Sequence, residues 1–397
     1  SINLTLGGVD AWGTAMGPTH IIAAQQWDEW DFDVDSTLVK GKIRMLPGNE
    51  PIQLGLDYIH LPQSEEEPGN LATLDGSQDE VTVVADKPDP LAALNPADFP
   101  PMDMDLAELY VGSRNFGRWK LSSRPQADGM QITLHDSDMK GMAFTGDVYW
   151  LKQGDQHQTR LDTLQISSND IGRVQRAFRQ EAAIEGKDMR STLQLNWQGS
   201  PLAYNNKTLN GLASFRVKDG NMAAEGAGAL KAFGALNFNS VARRLKLDFS
   251  DLYQSGVAFD TLKGKARIEN GLLTLTEPLS MDGPGGKFLT SGSTDLKTQT
   301  LDMKLAVTFP VSSTLPMVAL LAGLAPPVAA SIYVTEKLIG DELARFTSAS
   351  YDLKGTWEKP DLKINQAFDD KVDGKKSRSL LERFKSIFYI FGGGDDD

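Results

Sequence analysis

The sequence predicts a mainly β fold in which most strands form an antiparallel meander. Three observations support this class: apolar and polar residues alternate along most of the chain, Gly and Asn pairs separate the alternating segments, and helical periodicity is rare. A sheet with one apolar face must cover that face with a second sheet, with helices, by closing into a barrel, or with an apolar ligand. Few short helices cannot cover many strands, so a sandwich, a barrel and a curled sheet that lines a groove all remain open, as does an ordinary protein core.

The strand pattern is clearest in six segments, of which TLDMKLAVTF, residues 300–309, is the longest. The apolar positions that share a face are Ile2, Leu4 and Leu6; Trp30, Phe32 and Val34; Leu193, Leu195 and Trp197; Ala213, Phe215 and Val217; Leu245, Leu247 and Phe249; and Leu301, Met303, Leu305, Val307 and Phe309. Hairpin turns are predicted at Asp219-Gly220-Asn221, Glu269-Asn270-Gly271 and Asp282–Gly286, since Gly and Asn tolerate positive φ.

Two helices and one irregular segment interrupt the strands. Residues 168–183 have a helical apolar stripe with Asn169 or Asp170 as the N-cap, and a shorter helix is predicted over residues 231–242. Residues 62–102 are acidic and rich in Pro and Gly, which indicates a long excursion or partly disordered loop.

The segment 311–340 is apolar and carries no charge before Glu336, but Pro326-Pro327 breaks it in the middle. Each half is long enough for a helix that reaches through about half of a 30 Å hydrocarbon core. The segment therefore predicts a helical hairpin that enters one leaflet, or a buried helix pair that plugs the β structure. The residues predicted to contact the membrane are Leu315, Met317, Leu320, Leu321, Leu324, Val328, Ile332 and Val334.

Residues 369–397 predict a basic amphipathic helix followed by an acidic tail. Lys and Arg flank a broad apolar face, which is typical of an interfacial membrane helix and also of a helix that docks on a protein. The apolar face, and with it the second set of predicted membrane contacts, consists of Leu380, Leu381, Phe384, Ile387, Phe388 and Phe391.

Composition excludes several functions. A net charge of −13 argues against nucleic acid as a partner, and the absence of cysteine excludes thiolate metal sites and fits an oxidising compartment such as the periplasm. The four His residues have no ligand-like spacing, so we predict no metal, cofactor or catalytic residue. Carboxylate pairs such as Asp248 and Asp251 have the residue types of a glycosidase acid and base, but exposed strands carry such pairs routinely. The first residues alternate like the interior of a strand, without a starting Met or a signal sequence. This pattern predicts that the chain is a piece of a longer polypeptide with a membrane anchor upstream.

One region carries a specific family pattern. It contains Arg243-Arg244-Leu245, the run Leu247–Leu252, Phe259-Asp260 and the hairpin Ile268–Gly271. The later Ser312–Pro316, and upstream Asn196–Pro201 and Phe116-Gly117-Arg118, match further landmarks. In these positions, between about residues 101 and 368, the chain resembles the AsmA-like proteins of the YhdP type. The excursion 62–102 and the final basic helix have no counterpart that we can align.

The resemblance selects the groove among the open alternatives. It implies a long curled antiparallel sheet that forms an open hydrophobic groove over residues 1–310. With the segments predicted above, the order along the chain is then this groove, the 311–340 hairpin, a terminal β segment at 341–368, and the helix and tail at 369–397. It implies a periplasmic protein, anchored in the inner membrane by an N-terminal segment absent here, that carries glycerophospholipids between inner and outer membranes. Its C-terminal end would meet the inner leaflet of the outer membrane, with an outer-membrane or periplasmic protein as a further partner.

The resemblance and the alternation together give the predicted lipid-groove residues. They are Leu193, Leu195, Trp197, Ala213, Phe215, Val217, Leu245, Leu247, Phe249, Ile268, Leu273, Leu275, Leu301, Met303, Leu305, Val307 and Phe309. The alternative is an envelope-assembly scaffold without enzymatic activity, whose sheet packs on a protein core and whose C-terminal helices dock a partner.

Overall fold

The structure is a computed structural model that describes residues 1–8, 10–11, 14–15, 17–61, 89, 91–178, 182, 184–222, 257–284, 286–310, 346–357 and 359–367. The predicted helix 231–242, the predicted strand at residues 245–249, the apolar segment 311–340 and the basic helix 369–397 lie outside these residues. Strands dominate the described part, as the alternation of the sequence predicts.

The strands of the first half are β1 (Ile2–Leu6), β2 (Asp10–Ala11), β3 (Thr14–Ala15), β4 (Thr19–Gln26), β5 (Glu29–Asp35), β6 (Val39–Met45), β7 (Ile52–Leu61), β8 (Met102–Val111), β9 (Arg114–Asn115), β10 (Trp119–Gln126), β11 (Gly129–Asp138), β12 (Met142–Gln153) and β13 (Gln156–Ser168). The later strands are β14 (Ile184–Gln198), β15 (Asn210–Met222), β16 (Val257–Glu269), β17 (Leu272–Gly283), β18 (Gly286–Asp295), β19 (Thr300–Pro310), β20 (Phe346–Thr356) and β21 (Pro360–Ala367). One α-helix, α1 (Ile171–Ala177), and a 3-10 turn, Pro96–Asp98, complete the described elements.

All of these strands except β2 and β3 form a single 19-stranded sheet. Strand β1 pairs with β4, and β4 to β7 follow as a meander. Strand β8 pairs with β7, β9 and β10, and from β10 each strand pairs with the next until β21. No pairing within the described residues joins β1 to β21, so the sheet is open. The predicted long antiparallel sheet is confirmed.

One strand pair departs from the meander, because β7 and β8 are parallel. A parallel pair requires the chain to cross back along the full strand before pairing again. Residues 62–101 make this crossover, which gives the acidic excursion a topological role. Its predicted end was one residue too late, since Met102 already belongs to β8, and residues 91–101 pack on the sheet.

The hairpin predictions were right twice and wrong once. Asn270 and Gly271, with φ of 48° and 79°, form the two-residue turn between β16 and β17, and Gly283 faces Gly286 across the β17–β18 turn. The predicted turn at 219–221 is instead the interior of β15. There Asp219 has φ 46°, and a Cβ on Gly220 would collide with the Glu185 carbonyl oxygen and the Phe259 ring. The small residue permits close packing of neighbouring strands.

The predicted helix over residues 168–183 is real but shorter. Helix α1 begins after Asp170, whose carboxylate accepts a hydrogen bond from the Arg173 amide at 2.8 Å, which confirms one of the two predicted caps. Ser168 belongs to β13, so the helix does not begin there, and α1 ends at Ala177 with Phe178 as its C-cap.

Candidate functional site: one apolar face across the sheet

Strand register places the predicted groove residues of the centre on one face of the sheet. Residues directly opposite each other in antiparallel strands point to the same side. Leu193 faces Ala213 across β14–β15, Ala213 faces Ala266 across β15–β16, and Ala266 faces Leu275 across β16–β17. The same register joins Ile268 to Leu273, so the apolar set of four strands forms one surface.

This surface continues through the later strands. Leu273 faces Thr294, Thr294 faces Leu301, and Met303 faces Leu353 across β19–β20. Leu305 faces Tyr351, and the side chain of Leu305 is 0% exposed. The positions of Val307 and Phe309 also lie in β19, where they pair with Ala349 and Thr347. The apolar face thus extends to β20.

In the other direction the surface continues through residues that, apart from Leu195, the sequence analysis did not predict as groove residues. Leu195 faces Leu161, Leu161 faces Val148, and Val148 faces Ile132. Further pairs carry the face to the first strand: Leu134 with Leu121, Leu121 with Met104, Met104 with Leu54, Leu54 with Ile43, Ile43 with Phe32, Phe32 with Ala23, and Ala23 with Ile2. A continuous apolar face therefore runs from β1 to β20.

A β-bulge in β13 keeps two leucines on this face. Leu161 pairs with Leu195 and Leu164 pairs with Leu193, with a register shift between the two pairs. Three residues of regular strand would place Leu161 and Leu164 on opposite faces, but the extra residue of the bulge and the left-handed φ of 69° at Thr163 restore the same side. Both leucines are 9% exposed. The same β13 bulge produces the register shift opposite Thr145/Asp147 of β12, and a second bulge lies in β11 between Leu134 and Ser137. Because bulges bend strands, these neighbouring shifts curve the sheet.

Exposure of the apolar face varies along the sheet. Ile2 and Leu4 in β1 are 51% and 46% exposed, whereas the predicted residues Leu193, Leu195, Ala213, Phe215, Leu273 and Leu275 are half-buried. Trp197, Val217, Ile268, Leu301, Met303 and Leu305 are buried. A buried cluster of Leu134, Leu161, Leu164, Trp197, Leu209 and Ile268 forms the centre. An apolar ligand could therefore reach β1 and the half-buried positions of β14, β15 and β17 most easily, whereas Ala23, Leu56 and Leu106 of the early strands are buried.

The opposite face of the sheet is charged. Exposed ion pairs link adjacent strands, such as Arg44 Nε with Asp31 Oδ1 at 2.7 Å and Arg118 Nη2 with Asp105 Oδ2 at 2.8 Å. The hydrogen bond from Arg118 keeps the pKa of Asp105 below its usual value. Such exposed pairs contribute little stability. Their main effect is on solvation, because they fix which face of the sheet meets water.

A short stretch of the crossover, residues 89 and 91–101, covers one end of the apolar face, and we call it the clasp segment. The Asp89 carboxylate accepts hydrogen bonds from the Ser200 amide at 2.8 Å, from the Ser200 hydroxyl at 2.6 Å and from the Leu91 amide at 2.9 Å. Ser200 is fully buried. These hydrogen bonds fix the clasp segment to the loop that follows β14.

A second set of contacts holds the clasp segment on β12 and β13. The Trp150 indole donates to His157 Nδ1 at 2.8 Å, and His157 Nε2 lies 3.2 Å from the Ala92 carbonyl oxygen. Since Nδ1 accepts this bond, Nε2 carries the proton and donates to Ala92. Phe99 packs on Trp150 with ring centroids 6.1 Å apart. Trp150 belongs to the apolar face, so the clasp segment lies over that face. Helix α1 lies at the opposite end of the same strands, between β13 and β14.

No group of side chains suited to hold a metal ion occurs among the residues that the structure describes. Within the same residues, no helix has the length and apolar character needed to cross a membrane. The predicted groove residues Leu245, Leu247 and Phe249 and all predicted membrane contacts lie outside the described residues and stay predictions.

These features define a class of protein: one built on a large open sheet with one continuous apolar face and one charged face. The chain belongs to the YhdP protein family, whose model matches residues 1–362. It is 22% identical over 265 residues to the intermembrane phospholipid transporter YhdP of Escherichia coli strain K12, an alignment that covers 66% of this chain and 21% of that protein. No solved structure matches the chain.

Proposed function

We propose that this chain is part of a periplasm-spanning lipid-transfer protein that carries glycerophospholipids between the inner and outer membranes. The observation that carries the proposal is the apolar face that follows strand register from β1 to β20. Acyl chains would lie on this face while the headgroups stay in water. The E. coli relative is named an intermembrane phospholipid transporter, which supports phospholipid as the ligand.

The dimensions of the sheet fit this ligand. All of the 19 strands except β9 follow one another in line, and 18 strands about 4.8 Å apart span about 80 Å along the sheet. One leaflet of a bilayer offers about 15 Å of hydrocarbon. The apolar face is thus about five acyl-chain lengths long, so it could hold several lipids in series. Each buried CH₂ contributes roughly 0.8 kcal/mol, which favours occupation without a deep pocket.

The proposal includes an orientation in the cell envelope. An N-terminal segment outside this chain would anchor the protein in the inner membrane, and segments 311–340 and 369–397 would contact the inner leaflet of the outer membrane. Transfer along such a face forms and breaks no covalent bond, so the proposed role requires neither a catalytic residue nor a cofactor.

Two adjacent residues of β14 provide a matched test. Leu195 lies half-buried on the apolar face, whereas Gln194 is exposed on the charged face. We expect glycerophospholipid to copurify with the natural chain and with the Gln194→Glu control, and to be lost from Leu195→Glu while circular dichroism still reports a folded sheet. Native mass spectrometry with lipid extraction measures the bound lipid.

Two results would contradict the proposal. A natural chain purified without lipid, yet compact and stable, would mean that the sheet covers its own apolar face. Unfolding of Leu195→Glu would mean that Leu195 sits in a packed core, because an unpaired buried charge is strongly destabilising. Either result would favour the scaffold function.

A further inference from the structure

Three cations lie side by side on the charged face of the sheet. Arg190 of β14 is directly opposite Arg216 of β15, and Arg216 is directly opposite Lys263 of β16. Like charges at directly opposed positions of adjacent strands repel and destabilise a sheet. The chain as a whole has a net charge of −13, so this row is not a consequence of composition. An anion bound between the three side chains would offset the repulsion.

Protein carboxylates neutralise this row only in part. Arg190 Nε donates to Asp188 at 2.8 Å, and Lys218 Nζ lies 3.0 Å from the same carboxylate. The hydrogen bonds from Arg190 and Lys218 hold the pKa of Asp188 at about 2, so Asp188 is fully charged at neutral pH. In the described part of the chain, Arg216 and Lys263 have no carboxylate within ion-pair distance.

The row borders a cleft. The cleft has a volume of about 420 Å³, and its lining includes Arg190, Arg216 and Lys263, the hydroxyl-bearing residues Thr192 and Ser214, and the carboxylates Glu277 and Asp282. Register shifts between Lys263 and Ala266 in the β16–β17 pair bend the sheet at this place. Two further cations of the lining pair with these carboxylates: Lys265 Nζ lies 2.7 Å from Glu277 and Lys287 Nζ lies 3.1 Å from Asp282.

We propose that this cleft binds a phosphate group, with Arg216 and Lys263 as the main contacts and Arg190 as the third. Guanidinium groups match phosphate oxygens with paired N–H donors, and a lysine ammonium adds a point charge. The volume lies within the range of small-molecule sites and exceeds what an inorganic ion fills. The ligand is therefore a phosphorylated compound or a phospholipid headgroup. The charged side chains of the cleft lie on the face opposite to the apolar surface, and the predicted groove residue Phe215 also borders the cleft. The proposed phosphate contacts are therefore separate from the apolar face that would carry acyl chains.

The first experiment is isothermal titration calorimetry of the natural chain with inorganic phosphate and with glycerol 3-phosphate. Arg216→Gln and Lys263→Gln should each weaken binding at least tenfold. Lys304→Gln is the matched control, because Lys304 is an exposed cation on the same face in β19, outside the cleft. Absence of binding to the natural chain, or equal weakening in the control, would overturn the site.

Melting temperatures distinguish phosphate binding in this cleft from a nonspecific effect of removing a positive charge. Without ligand, Arg216→Gln should raise the melting temperature, because it removes two like-charge contacts, whereas Lys304→Gln should not. Phosphate should raise the melting temperature of the natural chain and not that of Arg216→Gln, since a ligand stabilises only the state that binds it. A lower melting temperature of Arg216→Gln without ligand would show that Arg216 is structural and would refute the proposal.

Vesicles distinguish the two sources of phosphate. Cosedimentation with phosphatidylglycerol vesicles that is lost in Arg216→Gln identifies a headgroup, and binding of glycerol 3-phosphate without cosedimentation identifies a soluble compound. Loss of bound acyl lipid in Leu195→Glu with unchanged phosphate binding would show that the two sites are separate.

Discussion

We predict that the hydrogen bonds between Asp89 and Ser200 are the main contacts that hold the clasp segment on the sheet. Asp89→Ala removes an acceptor that serves the Ser200 amide, the Ser200 hydroxyl and the Leu91 amide. Ser200 is fully buried, and each buried donor left without a partner costs about 1–3 kcal/mol. The hydroxyl can rotate toward another acceptor, so we expect a loss of about 3 kcal/mol of stability.

Urea denaturation measures this loss, and hydrogen exchange shows where it occurs. Asp98→Ala is the control, because Asp98 is an exposed carboxylate of the same segment that accepts only from Asn95 at 2.9 Å in the described contacts. Faster exchange of the Ser200 amide is expected in Asp89→Ala and not in Asp98→Ala. Equal free energies of unfolding for Asp89→Ala and Asp98→Ala would refute the prediction that Asp89 holds the clasp segment in place.

The same contact predicts a dependence on pH. Burial alone would raise the pKa of Asp89, but the hydrogen bonds from Ser200 and Leu91 outweigh it, and the pKa is lowered. A depressed pKa in the folded state contributes stability that is fully present above the unfolded pKa, about 3.9, and lost as pH falls through the folded value. The stability difference between the natural chain and Asp89→Ala should therefore be constant near neutral pH and shrink below about pH 4. A difference that grows on acidification would contradict this account.

Three further predictions concern the sheet and the C-terminal region. Leu305→Glu should unfold the chain in thermal denaturation because Leu305 is 0% exposed, whereas Lys304→Glu on the charged face should change stability little. Gly220→Val should cost at least about 2 kcal/mol because its side chain would collide with adjacent strands, and Gly55→Ala, where space is open, should be tolerated; equal effects would refute this packing. Removal of residues 369–397 should weaken cosedimentation with anionic vesicles, and unchanged binding would contradict their proposed membrane contact.

The sequence predicted those parts of the fold that depend on local pattern. Unbroken alternation identified β19, and Asn270-Gly271 identified a two-residue hairpin, because each signal is contained within a few residues. The alternation within each segment also placed Leu193 and Ala213 on the apolar faces of their own strands. The pairing of β14 with β15 then joins these two faces into one.

Long-range and irregular features escaped prediction. Leu161 and Leu164 differ by three positions, so only knowledge of the bulge at Thr163 places both on the apolar face. The parallel pairing of β7 with β8 depends on a partner fifty residues away in sequence, as Ile52 pairs with Met102. Likewise, no local sequence pattern predicts the hydrogen bonds between Asp89 and Ser200. These residues lie in two segments that are distant in the sequence, and only the folded sheet brings them together.

The distribution of burial bears on how lipid would move along the apolar face. Leu301, Met303 and Leu305 are 5%, 3% and 0% exposed, so an acyl chain cannot touch them in this conformation. Leu195 and Phe215 are half-buried and Ile2 is open to solvent. Under the proposed transfer function, passage across β19 would therefore require a change of packing there, as it would at the buried residues Leu106, Leu161 and Trp197 of the earlier strands. Because displaced side-chain contacts and acyl contacts are chemically alike, such an exchange would cost little free energy overall. Transfer would thus be limited by rearrangement of the protein at these buried positions, among which Leu305 of β19 is 0% exposed.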